Sequence, residues 1–156
     1  MKARLLFVLS VAFIVGLFTV TPSQARPDFG VRGGAYGEED DAFLGAEALF
    51  NVNDGGHWYG NPNVEHAFID NGDLTTVSFD FHYDFTRNKP YTLWGGAGPT
   101  VLFRDGDAFA GNDGTDAGVN LLFGGGATKG DVRPYAQMKV ILADDTQAVL
   151  AAGIRF

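Results

Sequence analysis

The chain contains no cysteine, so neither a disulfide framework nor a lipid-modified Cys anchor can brace or tether it. Basic residues are scarce: 11 Lys and Arg stand against 19 Asp and Glu in 156 residues, a net charge of −8. A nucleic-acid interface needs a basic face, and this balance argues against one. Beyond residue 25 no apolar run approaches the roughly 18 residues of a spanning helix, which excludes a helical membrane bundle. From Phe29 onward there is also no sustained 3.6-residue apolar stripe, so amphipathic helices do not build the domain.

What is present begins with an export signature. Lys2 and Arg4 form a positive start, Leu5 to Val20 is apolar, and Ser23-Gln24-Ala25 offers small residues where signal peptidase cleaves. The apolar run spans 16 residues, short of the roughly 20 that a transmembrane helix needs. Residues 1–25 are therefore expected to be a cleaved signal peptide, and residues 26–156 a single working domain. Without Lys2 and Arg4, nine basic residues face 19 acidic ones, a mature charge of −10.

The full chain's 22 glycines and 14 phenylalanines, all but Gly16, Phe7, Phe13 and Phe18 in that domain, suit tightly turned, aromatic-rich strands. Thr75–Phe85 shows the pattern most clearly. Val77, Phe79, Phe81, Tyr83 and Phe85 occupy one face, and Thr76, Ser78, Asp80, His82 and Asp84 the other. The same two-residue period predicts strands over 29–37, 43–52, 61–69, 74–85, 91–103, 117–127, 132–142 and 146–156, separated by Asp-, Gly-, Asn- and Pro-rich breaks. Segments of about ten residues match tilted strands crossing a hydrocarbon layer, and an even number lets the sheet close. The sequence thus predicts an all-β, eight-stranded, antiparallel up-and-down transmembrane β-barrel.

Alternation alone does not separate a membrane barrel from a soluble one. The polar face decides. A soluble barrel shows water a surface rich in Lys and Glu, whereas here that face is Gly, Ser, Thr, Asn and Gln with few charges. Parity places Arg32, Glu47, Glu65, Asp80, Asp84, Arg104, Lys139 and Arg155 on it, with His82 beside them. A balanced set of ions suits an enclosed lumen, where an unpaired charge is costly. The other face includes Leu44, Phe50, Phe79, Phe81, Leu121, Phe123, Met138 and Leu150, a belt too large to be exposed to water. In hydrocarbon a closed sheet satisfies every backbone polar group.

If both ends of the domain are periplasmic, the outward connections carry 12 of the 19 acidic residues, while Arg26, Arg87, Lys89, Lys129 and Arg133 lie on the periplasmic side. Trp58, Tyr59, Tyr83, Phe85 and Tyr91 fall near the periplasmic rim, where amphipathic rings favour a membrane interface. Leu150, Ile154 and Phe156 share one face of the last strand. This terminal alternation, the export signature and the eight segments resemble the OmpA/OmpX-type family of small outer-membrane barrels over essentially the whole mature chain. Ile154 departs from the pattern, since that family more often has an aromatic there. The resemblance implies residence in a Gram-negative outer membrane and contact with its lipids and lipopolysaccharide. It also implies recognition of the last strand by the assembly machinery, and no enzymatic activity. A monomer without a nucleic-acid partner is expected.

Other motifs read as structural. Ser78, Asp80 and His82 share one face of a strand with Glu65 on its neighbour, but a lipid hydrolase needs its nucleophile on the lipid side, and these face the lumen. The His-x-Ser arrangement of lipid A deacylases is missing. Asp105-Gly-Asp107 and Asn112-Asp113-Gly-Thr-Asp116 offer hard oxygen ligands, but EF-hand spacing and its closing Glu are absent, so solvated turns are expected. Gly124 to Gly130 lacks the Ser or Thr that follows the lysine of a phosphate loop. His57 and His66 have no partners at metal-ligand spacing. No catalytic set, cofactor or metal site is expected. A structural or surface-interaction barrel with acidic outward loops leads, and a narrow or gated channel through a charged lumen is the alternative. A lipid A-modifying hydrolase comes last.

Overall fold

The computed structural model describes residues 27–37, 41–53, 55–70, 72–86, 89–106 and 114–156; the expected signal peptide lies outside them. Eight strands follow one another: β1 (Asp28–Tyr36), β2 (Asp41–Asn51), β3 (Trp58–Ile69), β4 (Gly72–Asp84), β5 (Tyr91–Gly106), β6 (Gly114–Ala127), β7 (Arg133–Leu142) and β8 (Gln147–Arg155). Each pairs antiparallel with the next, and β8 pairs with β1, so the sheet closes into a barrel without an edge. Closure pins the register because β1 is held on both sides, with Gly30 opposite Glu47 on β2 and Arg155 on β8.

The strands fall within three residues of where two-residue alternation places them, and β3, β5 and β6 show the largest extensions. β5 and β6 run on to Gly106 and back from Gly114, so Asp105 and Asp116 are strand residues and not part of a long loop. Pairing continues past the apolar stretch because hydrogen bonding needs no apolar side chain, and an Arg104–Asp116 ion pair ties the extension together. β3 likewise begins at Trp58, three residues before the expected start at 61. β1 has few large side chains because the space it borders is already full. A Cβ on Gly30 would sit 3.0 Å from Glu47 Oε1 and 3.1 Å from Arg155 Cγ.

Two ends can be distinguished. The terminal end carries Asp28, Phe156 and the β2–β3, β4–β5 and β6–β7 turns; the loop end carries the other four connections. Outward-facing side chains form the apolar belt, including Leu44, Leu121, Phe123, Met138 and Leu150, all exposed. Inward-facing side chains fill the lumen.

Candidate functional site

The lumen is built in three layers, each set by which residues alternate inward at that height. In the middle, Glu47 on β2 and Glu65 on β3 meet Arg32 on β1, Lys139 on β7 and Arg155 on β8, all buried. Lys139 Nζ reaches Glu65 Oε2 at 2.7 Å and Arg155 Nε reaches Glu47 Oε1 at 2.6 Å. Arg32 bridges the two carboxylates, at 3.3 Å to Glu47 and in a close pair with Glu65. Tyr36 Oη and Thr76 Oγ1 donate to Glu65 Oε2, and Asn61 Nδ2 donates to Glu47 Oε2. Asp80 accepts from Asn63 Nδ2 at 2.9 Å and Asn120 Nδ2 at 2.8 Å. Three cations thus face three carboxylates. Buried ions at low dielectric are tolerable only when paired and hydrogen-bonded in this way.

Above this network, toward the loop end, the lumen is apolar: Tyr36, Phe43, Ala67, Leu74, Leu102, Ile141, Val149 and Ala151 form one buried cluster. The tyrosine joins the layers, because its ring stacks edge-on against Phe43 while its hydroxyl reaches Glu65. Arg104, expected within the charged network, lies beyond this apolar layer and pairs with Asp116 at the loop end. The separation follows from position. Leu102 is two residues before Arg104 on the same inward face, so the guanidinium is carried past the apolar cluster.

Below the network, toward the terminal end, Trp94, Leu122 and Tyr135 form a second buried group. The Arg155 guanidinium lies 4.1 Å from the Tyr135 ring centroid and 5.1 Å from that of Trp94, and His82 stacks on Trp94 at 5.8 Å. Trp94 Nε1 donates to Gln137 Oε1 at 3.1 Å. A Cβ on Gly153 would meet the Tyr135 ring at 2.6 Å, so glycine is what lets the tyrosine lie against β8. Beneath these rings a cavity of about 170 Å³ opens toward the terminal end, bordered by Asp28, Tyr59, His82, Asp84 and Arg133. At its rim Arg133 pairs with Asp28 at 2.8 Å.

Tyr59 corrects the expected aromatic rim. It faces the lumen cavity and not the membrane, because β3 carries Tyr59, Asn61, Asn63 and Glu65 inward in turn, and its hydroxyl bonds the Gly56 carbonyl. Trp58, Tyr83, Phe85 and Tyr91 lie on the outer side at the terminal end, with Trp58 edge-on to Tyr83 at 5.1 Å and Tyr83 edge-on to Phe85 at 5.3 Å. His57 stacks on Tyr83 and bonds the Asp84 carbonyl. His66 bonds Thr75 Oγ1 near the loop end. Leu150, Ile154 and Phe156 all point outward along β8, and Phe156 N–H donates to the Phe29 carbonyl.

No catalytic relay is assembled from the residues singled out for one. Ser78 Oγ bonds Thr100 Oγ1 at 2.8 Å, Asp80 is held by two asparagines, and His82 stacks on Trp94. His82 Nε2 has no hydrogen-bond partner, so the imidazole is joined to neither the hydroxyl nor the carboxylate that a relay would need. Among the described residues no three His, Cys, Asp or Glu side chains are grouped to hold a metal ion.

A closed eight-stranded barrel with a packed polar lumen and an apolar exterior defines a class: the fold is that of the small outer-membrane β-barrels. No family model matches the chain, and no curated protein matches it. Solved structures do. It is similar to Neisserial surface protein A (NspA) at 15% identity over 83% of this chain and 94% of that one, with a TM-score of 0.62. It is similar to the N-terminal β-barrel domain of Pseudomonas aeruginosa OprF at 15% identity over 83% and 96%, TM-score 0.59. The outer membrane enzyme PagL aligns at 11% identity over 83% and 98%, TM-score 0.56. At such identities the shared property is the fold.

Proposed function

We propose that the protein is a closed, non-enzymatic integral barrel of a Gram-negative outer membrane, with a structural or surface-interaction role and its acidic loop end outward. The observation that carries this reading is the lumen: a balanced buried ion network capped by an apolar layer, inside a sheet whose exterior is a continuous oily belt. An eight-stranded barrel is only wide enough to be filled by side chains, and these fill it from the ion network to the loop end. The fold hosts an enzyme as well, in PagL, so the absence of activity is argued from side chains. The Ser78 hydroxyl is bonded to Thr100 Oγ1 in the lumen, and Asp80 and His82 are buried there against Asn63 and Trp94, so no nucleophile from this set is presented to the lipid side.

In this reading residues 1–25 are removed on export, and N-terminal sequencing of the mature protein should begin at Arg26. The belt contacts membrane lipids and lipopolysaccharide, and Leu150, Ile154 and Phe156 on the outer side of β8 present the terminal pattern to the assembly machinery. The protein acts as a monomer. The channel alternative requires both the ion network and the apolar layer to part. Planar-bilayer recording tests this. No reproducible openings are expected, and steady single-channel currents abolished by Lys139→Gln would replace the closed barrel with a channel. Outer-membrane fractionation with a gel shift on boiling tests the location, and a mature protein that stays monodisperse in detergent-free buffer would overturn it.

A further inference from the structure

The outer wall of the barrel has one recess with a specific structural cause. Pro62 sits in the middle of β3 and has no N–H to give. The β2–β3 ladder pairs Glu47 with Asn63 and Phe50 with Gly60, but lapses at Ala48/Pro62 and Leu49/Asn61. From inside, Asn61 Nδ2 donates to the Ala48 carbonyl at 3.0 Å, replacing the missing bond and fixing the lapse in place. On the outer face the side chains at that height are small, while Phe29 on one side and Phe50 and Phe79, 6.2 Å apart, on the other stand up around them.

The result is a groove of about 180 Å³ bordered by Phe29, Ala46, Ala48, Pro62 and Val64. Its depth is visible in burial: Ala48 and Pro62 face outward yet are buried, whereas Leu44, on the same face of β2, is 65% exposed. Glu47, Asn63 and Ser78 contribute to the floor, but their polar ends are taken by Arg32 and Arg155, by Asp80 and by Thr100 inside the lumen. The groove therefore offers apolar contact and no hydrogen-bonding site. It lies in the terminal half of the wall, four residues beyond Trp58 on β3, and is continuous with the apolar belt.

We infer that this groove seats one acyl chain of a glycerophospholipid. The inference rests on the membrane-barrel reading above. Water has no partner in such a recess, and an empty groove forfeits the dispersion contacts of its lining. A flexible alkyl chain is the one component of the surrounding hydrocarbon that fits a narrow apolar slot between rings. A phospholipid is preferred over lipopolysaccharide because the groove lies in the half of the wall next to the chain termini, which is the periplasmic half when the acidic loop end faces outward as proposed above.

The test uses the full mature barrel reconstituted in liposomes containing a phosphatidylethanolamine with a photoreactive diazirine on one acyl chain. Adduct positions are mapped by mass spectrometry. Adducts should be enriched several-fold at residues 46–48 and 62–64 over the equally lipid-facing Leu121 and Leu150. Ala48→Phe, which fills the groove, should abolish the enrichment, and Ala152→Phe, a similar change elsewhere on the belt, should leave it intact. If Ala48→Phe does not give a heat-shifted barrel, Ala46→Phe serves the same purpose. Adducts spread evenly over the belt, enrichment that survives the filled groove, or enrichment only with a lipid A-based probe would overturn the inference while leaving the membrane barrel standing. Failure to insert at all would overturn both.

Discussion

Toward the loop end the lumen is filled by Phe43, Leu74, Leu102, Ile141 and Val149, whereas toward the terminal end Trp94, Tyr135, Tyr59 and His82 surround a cavity of about 170 Å³. Both ends carry large side chains, but the terminal cavity is also bordered by Asp28, Asp84 and Arg133, so part of the difference is polarity. The rest is shape. Branched aliphatic side chains interdigitate and leave no space, while flat rings stack on one another and on the Arg155 guanidinium, holding a wall without filling the volume beside it. The charged layer between them belongs to neither half. It is a floor for the apolar plug and a roof for the aromatic cavity.

The substitutions that would break or sharpen this contrast fall in order of size. Glu65→Ala should be worst, because it strips Lys139 of its ion-pair partner and leaves Arg32 with Glu47 alone in the middle layer. A loss of about 3–5 kcal/mol is expected in urea unfolding of the barrel in lipid vesicles. A loss comparable to a surface change would mean the layer is not closed to water. Leu102→Ala opens the plug and should cost about 2–5 kcal/mol, yet no ion current should appear in planar bilayers, since the network below still spans the lumen. Current through this variant alone would move the barrier from the ions to the plug. Tyr135→Leu removes the ring under Arg155 and should cost about 1–2 kcal/mol with the loop half unchanged in hydrogen exchange. Arg133→Ala at the open rim, where its partner Asp28 is partly exposed, should cost less than about 1 kcal/mol.

Much of this was legible in the sequence, and the reasons differ between the two faces. β4 alternates cleanly, so its outward phenylalanines and inward Ser78, Asp80 and His82 could be assigned directly. The inward ions were legible for the same reason, since a charge at the inward parity of an apolar-faced strand has few other places to go. The apolar plug was not, because alternation marks a face only while its two sides differ. At the loop ends they do not: Phe43-Leu44, Val101-Leu102-Phe103 and Val140-Ile141-Leu142 are apolar on both faces. Those runs were the available signal, for two-sided apolarity in a barrel strand means a filled lumen at that height. Tyr59 was misread because it adjoins Trp58 in a break rich in turn residues, and only the register from Asn61 to Glu65 fixes its side. The groove beside Pro62 was hidden because it depends on which pairings lapse.

The two tryptophans give the most direct test of the whole arrangement, since Trp58 is 43% exposed on the outer wall and Trp94 2% exposed in the lumen. Single-tryptophan forms, made by Trp94→Phe and Trp58→Phe, can be reconstituted with phospholipids brominated near the headgroup end of the acyl chain. Strong quenching of Trp58 and none of Trp94 is predicted. Quenching of Trp94 by the lipid, with Trp58 unaffected, would turn the barrel inside out and contradict the account.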